Sequence, residues 1–129
     1  MNIFLSGGNS FIGRNLQEQL KYNFVAPPHK ALDLTNTQAV EDFFKQTQFD
    51  AVIHLASDNS EGELKDVYES ANMKMFVNLV MQKGHYNKLI NIGSGAEYGK
   101  QDPILMLMRI LKENQKTFMV LLSTLLESI

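Results

Sequence analysis

An α/β fold, built as a doubly wound parallel sheet with a helical C-terminal tail, is predicted by three features of this 129-residue sequence. β-like and α-like segments alternate along the chain, as they must when parallel strands are joined by helical crossovers. The β-like segments are short continuous apolar runs, such as Ala51 to Leu55 (AVIHL), rather than alternating ones. Such runs belong to strands buried on both faces. Finally, the first of them is followed at once by glycines and then by a helical pattern, in the stretch MNIFLSGGNSFIGRNL from Met1 to Leu16.

Each element has its own local reason. Asn2 to Leu5 reads as the first strand, and a helix from about Ser10 to about Lys21 follows the glycine turn. Asn23 to Ala26 reads as a second strand, ended by Pro27 and Pro28, which cannot continue a ladder. Leu32 to Leu34 is expected to be a short extended piece. Thr35 or Asn36 can cap a helix through about Gln46 that places Val40, Phe43 and Phe44 on one face. After the strand Ala51 to Leu55, a long helix is expected from about Leu64 to Lys83, ending at Gly84. Lys88 to Ile92 reads as the next strand, followed by Gly93, Ser94 and Gly95.

The glycine turn carries the first chemical implication. Gly7, Gly8 and Gly13 supply a tight turn and close helix-to-strand packing, and the helix beyond them directs free N–H groups and its positive dipole end outward. A strand, turn and helix of this kind make the phosphate cradle of a Rossmann-like dinucleotide-binding unit. The same pattern also occurs as plain α/β packing, but its position after the first strand favours the cradle. Ser10 stands at the middle position of the Gly7, Ser10, Gly13 frame, where glycine is usual. Its hydroxyl can meet a phosphate or cap the helix, and its Cβ can hold a ligand off.

Composition excludes several function classes. The chain is 44% hydrophobic and 20% charged, with formal net charge -2, so one core-bearing domain is expected and a nucleic-acid partner drawn by a basic surface is not. It contains no cysteine, which removes disulfides, thiolate metal sites and cysteine nucleophiles and suits a reducing cytoplasm. The first apolar run is too short for a signal peptide or a membrane-spanning helix. His29, His54 and His85 are scattered without ligand spacing, so no metal is expected. Asp58, Glu61, Glu63 and Asp66 read as carboxylates at the start of a helix, where they favour its dipole, rather than as acid/base catalysts.

Four pieces in order, SGGNSFIGRNL, ALDLTNTQAVEDFF, FDAVIHLAS and KLINIGSGAEYG, carry a family resemblance from Met1 to about Lys100. This stretch resembles the N-terminal half of an extended short-chain dehydrogenase/reductase of the NAD-dependent epimerase/dehydratase type, above all the nucleotide-sugar enzymes. The resemblance implies that Gly7, Gly8, Ser10, Phe11, Ile12 and Gly13 hold a pyrophosphate, that Asp33 and Leu34 meet adenine, and that His54, Leu55 and Ala56 line the cofactor ribose and phosphates. Ser57 replaces the family's second alanine after this motif. It also implies that Ser94 polarises a substrate carbonyl or hydroxyl. Read without the resemblance, Ser94 satisfies a glycine turn, and His54 is a core histidine or a cofactor-wall residue.

The end of the second strand bears on the cofactor. An NAD site places a carboxylate there, and an NADP site places basic groups against the 2′-phosphate. Pro27-Pro28-His29-Lys30 contains no acid, so NADP is expected over NAD, with Lys30 and also His29 or Arg14 as phosphate partners. The competing reading is ordinary solvated surface charge.

The family chemistry also requires a tyrosine with a lysine four residues on, the lysine lowering the tyrosine pKa. Tyr22, Tyr68, Tyr86 and Tyr98 are followed at that spacing by Ala26, Asn72, Ile90 and Asp102. The sequence therefore reads as a truncated, cofactor-binding portion over residues 1–103, without a substrate domain and inactive alone. The alternative is a non-catalytic dinucleotide-binding or protein-interaction module. Residues 104–129 form an atypical apolar tail, read as two short helices from Ile104 to Leu111 and from Thr117 to Leu126, and as a surface for self-association. A sharper reading is that the tail is out of frame. Met119 followed by Val120 forces a glycine in the neighbouring frame, which permits Tyr-Gly-Leu-Ala-Lys-Tyr and hence the missing motif.

Overall fold

The computed structural model describes residues 1–58 and 70–92. Ser94, the turn around it, Tyr68, Tyr98, Glu61, Glu63, Asp66, the stretch from Leu64 to Glu69 and the 104–129 tail lie outside the described residues. The elements run β1 (Asn2–Ser6), α1 (Phe11–Gln19), β2 (Asn23–Val25), α2 (Thr37–Phe44), β3 (Phe49–His54), α3 (Ala71–Met81) and β4 (Tyr86–Asn91). The strands form one four-stranded sheet in the order β2-β1-β3-β4, and every neighbouring pair is parallel. This is the doubly wound α/β arrangement, with the chain moving outward from β1 in one direction and then in the other.

Strand register explains how two cores form. Ile3 pairs with Ala51 and Leu5 with Ile53, so these four side chains share one face, packed with Leu16 of α1 and with Phe24. Phe4 and Val52, one residue out of step, point to the opposite face. There Phe4, Phe44 and Phe49 are fully buried with Val40 of α2 and Leu79 of α3. The rings of Phe4 and Phe44 lie 5.0 Å apart, and those of Phe44 and Phe49 meet edge to face at 5.4 Å. Burying each such side chain contributes about 1.5–3 kcal/mol, so this cluster fixes α2 and α3 on the sheet.

Several boundaries differ from the sequence reading, each for a physical reason. α1 stops at Gln19 because Leu20 turns to extended backbone. The piece from Leu32 to Leu34 is a loop, not a strand. The Pro28 carbonyl accepts the Ala31 and Leu32 N–H groups, and the Asn78 amide of α3 takes the Leu34 carbonyl at 2.8 Å, so no ladder partner is needed. Asn36, not Thr35, caps α2, accepting the Ala39 N–H at 3.1 Å, and the helix ends at Phe44 rather than Gln46. β3 begins earlier than expected, at Phe49, and β4 at Tyr86.

The long helix from Leu64 to Lys83 is also corrected. Ser70 has extended backbone and its hydroxyl accepts the Met73 N–H at 3.0 Å, so α3 begins at Ala71. Apolar spacing continues across Ser70 and conceals this cap. α3 ends at Met81, capped by Gln82, and Gly84 does not adopt the left-handed conformation of a helix-ending glycine.

Candidate nucleotide-binding site

The chain turns between strands at one end of the sheet. β1 lies between β2 and β3, so the turn leaving β1 sits where successive connections depart in opposite directions. In open parallel sheets that crevice, beyond the carboxyl ends of the strands, is where ligands bind. A cavity of about 230 Å³ opens there, lined by Ser6 to Ser10 after β1, Ala26 to His29 after β2, Leu32 and Leu34, Ala56 after β3, and Met75 of α3.

The glycine turn has the geometry its spacing implies. Gly7 lies in the left-handed region at φ +71°, and a Cβ there would stand 2.9 Å from the Ala56 nitrogen. Gly13 packs against the turn so closely that a Cβ would strike the Gly7 carbonyl oxygen and lie 2.8 Å from Gly8 Cα. Ser10 resolves the departure from glycine by capping α1: its Oγ accepts the Gly13 N–H at 3.0 Å, and its own N–H donates to the Gly7 carbonyl at 2.9 Å. The first-turn N–H groups of Phe11 and Ile12 have no partner among the described residues. The two residues are 76% and 50% exposed and neither lines the cavity; their free N–H groups follow directly on Ser10, which does.

Beneath the turn lies a buried polar cluster that sequence reasoning missed. Ser6 Oγ accepts the N–H groups of Leu55 and Ala56, both at 3.1 Å, and lies 2.6 Å from His54 Nδ1. With both acceptor positions used, the hydroxyl hydrogen goes to Nδ1, which makes that nitrogen an acceptor and places the ring proton on Nε2. Burial lowers the His54 pKa, and this hydrogen bond also favours the neutral ring. His54 therefore serves the site from below, through Ser6, and neither it nor Leu55 lines the cavity, whereas Ala56 does. A hydroxyl residue directly before the glycine turn was the available signal.

The remaining predicted residues separate. Leu34 faces the cavity, but Asp33 does not line it. Its carboxylate accepts the Thr35 hydroxyl at 2.7 Å and the Thr35 N–H at 2.9 Å, and these bonds hold its pKa below the usual carboxylate value. His29 lines the cavity, while Lys30 is exposed one residue beyond it and Arg14 is exposed on α1. Asn9, Leu32 and Met75 line the cavity without any signal in the sequence to mark them. Asn78, buried on α3, also acts here: it donates to the Leu34 carbonyl and accepts the Thr37 hydroxyl at 3.0 Å, fixing the wall that Leu34 forms. Main-chain donors at one end, apolar walls and a basic rim suit a phosphorylated, ring-bearing ligand.

A family model, the NAD dependent epimerase/dehydratase family, matches residues 3–117. The chain belongs to this family. Among curated members, GDP-L-colitose synthase of Yersinia pseudotuberculosis is 30% identical over 111 residues, covering 78% of this chain and 35% of that protein. GDP-L-fucose synthase of Azorhizobium caulinodans is 29% identical over 105 residues, 74% of this chain and 34% of the other. Among solved structures, a Campylobacter jejuni GDP-mannoheptose C4 reductase with NADP bound superimposes with a TM-score of 0.63 at 26% identity, over 79% of this chain and 34% of that one. This epimerase/dehydratase-family chain thus spans about a third of the length of the relatives it matches. Among the described residues, no helix is long and apolar enough to cross a membrane, and no cluster of His, Asp and Glu is arranged to hold a metal ion.

Proposed function

We propose that this chain binds NADP and forms the cofactor-binding portion, residues 1–103, of a nucleotide-sugar reductase, epimerase or dehydratase, with a GDP-sugar as the substrate class. The observation that carries this reading is the turn from Gly7 to Gly13, which leaves the Phe11 and Ile12 N–H groups unpartnered among the described residues, beside a cavity at the sheet's switch point. A dinucleotide fits these residues, because the turn admits no side chain at Gly7 or Gly13 and presents main-chain donors suited to a pyrophosphate. Gly7, Gly8, Ser10, Phe11, Ile12 and Gly13 hold the pyrophosphate. Leu34, its wall set by Asn78 and by the Asp33 turn, faces the adenine. His54, Leu55 and Ala56 shape the ribose side. His29 and Lys30 meet the 2′-phosphate.

Bound NADP supplies a hydride donor or acceptor, and Ser94 is the residue that would polarise the substrate oxygen. This sequence carries no Tyr-x-x-x-Lys, so the chain by itself binds cofactor without turnover. The proposal extends to a cytoplasmic setting, no nucleic-acid partner, and self-association through residues 104–129. Support for NADP comes from the acid-free Pro27-Pro28-His29-Lys30 corner and from the NADP named with two similar structures, the Campylobacter reductase and a GDP-L-fucose synthetase of Naegleria fowleri, the latter at 25% identity and a TM-score of 0.63.

Titration with NADPH and NADH, followed by ligand fluorescence and thermal shift, tests this reading. A ligand at a hundred times its Kd stabilises by about 2.7 kcal/mol. Preference for NADPH, reduced in Lys30→Ala, is the expected result. No binding of either nucleotide at millimolar concentration would falsify it.

A further inference from the structure

Gln17, on the outer side of α1, makes two contacts that helix formation does not require. Its Nε2 donates to the Gly8 carbonyl at 2.9 Å and to the Gly13 carbonyl at 3.0 Å. The second lies within the helix, whereas the first reaches back nine residues into the glycine turn.

Residue 8 needs such a restraint. A Cβ at Gly8 would lie 2.7 Å from the Ala26 Cβ, so packing against β2's end requires glycine there. Glycine is also the residue least able to fix its own backbone. The peptide joining Gly8 to Asn9 can flip by turning ψ at Gly8, which glycine leaves free, together with φ at Asn9, which would pass from negative into the left-handed region that asparagine enters more readily than most side chains. Its carbonyl and N–H point in opposite directions because the bond is trans. Held as described, the carbonyl faces Gln17 and the Asn9 N–H, which has no partner among the described residues, faces away from it. After a flip, a carbonyl oxygen would take the place of that N–H in a turn lining the cavity, where it would repel an anion.

We infer that Gln17 is a positioning residue that holds the Gly8–Asn9 peptide in its anion-accepting orientation and so selects for ligands bearing a 5′-diphosphate. The inference rests on the NADP-binding reading and adds a residue that touches no ligand. Its mark is selectivity: removing Gln17 weakens a ligand with a pyrophosphate and spares one without it.

The test compares wild type with Gln17→Leu, similar in size but without donors, and with Gln17→Ala as a second variant. Each is titrated with NADPH and with 2′-AMP, which carries the 2′-phosphate and adenine but no 5′-phosphate. Loss of one restraining hydrogen bond corresponds to roughly tenfold weaker NADPH binding. The expected result is that loss in both variants with 2′-AMP affinity unchanged and with the unliganded protein still melting cooperatively, its melting temperature lowered by no more than the several degrees that the lost hydrogen bonds are worth. NADPH affinity equal to wild type, or an equal loss for both ligands, overturns the role of Gln17 while leaving cofactor binding in place. Absence of NADPH binding by wild type overturns the cofactor reading and this assignment with it.

Discussion

Replacing Gly13 by alanine sets two opposing effects against each other. Gly13 is the third residue of α1, where alanine is favoured over glycine by about 1 kcal/mol on helix propensity alone. Against this, the added methyl meets the Gly7 carbonyl oxygen and lies 2.8 Å from both Gly8 Cα and Gly8 O, all main-chain atoms of a turn already held by Ser10 and Gln17. Overpacking costs typically 1–3 kcal/mol, and the upper end applies where no side chain can move aside, roughly 3 kcal/mol. The net loss is then about 2 kcal/mol, which for a small domain lowers Tm by roughly 8 °C. Gly84→Ala is the internal control, since a methyl added at Gly84 meets no atom within 4 Å and the backbone there is not left-handed. It should be neutral or stabilising by up to about 1 kcal/mol. Thermal melts by circular dichroism, at matched concentration, measure both. If Gly13→Ala melts at or above wild type, propensity has won and the close approach of α1 to the turn is not required by the fold.

Two further predictions concern the buried polar groups. Burial lowers the His54 pKa in the folded protein, so unfolded chains bind the extra proton first. Stability is therefore complete above the unfolded value near 6.5 and falls as pH drops through it, by at most about 1.4 kcal/mol per pH unit. Denaturant melts between pH 7 and 5 should show this slope and His54→Asn should flatten it; an unchanged slope in the variant would assign the effect elsewhere. Asp33, whose pKa Thr35 lowers, contributes its own loss only below about pH 4. Asn78→Ala strands the Leu34 carbonyl and the Thr37 hydroxyl, and should cost about 2 kcal/mol while loosening the wall beside the cavity. Equal urea midpoints for variant and wild type would show that water replaces the amide without penalty.

What the sequence disclosed of this molecule was whatever depends on near neighbours. The run from Ala51 to Leu55 marks a buried strand, and the Gly7 to Gly13 spacing marks the turn, because each is encoded within a few residues. Leu32 to Leu34 misled because three apolar residues resemble a strand wherever they occur, and here a loop is held by Asn78, 44 residues from Leu34. The site divides in the same way. Gly7, Gly8 and Ser10 come to the cavity from one local stretch, but Met75 reaches it from α3 and Ser6 acts on Leu55 and Ala56 across the sheet. Such pairings exist only once the strands have paired. His54 was visible as a residue of interest, yet its place beneath the cavity floor followed from its register opposite Ser6.

The outward direction of Phe11 and Ile12 bears on how this protein can vary. In the proposed cradle, a ligand gripped through main-chain N–H groups is indifferent to the side chains attached to them, so the positions assigned there to the phosphates are open to substitution. A saturation scan across the turn would then be sharply banded: almost nothing accepted at Gly7 and Gly13, and broad acceptance at the two large apolar residues between Ser10 and Gly13. A lineage could thus recolour the rim around the cradle, changing what docks beside it, without disturbing the grip itself.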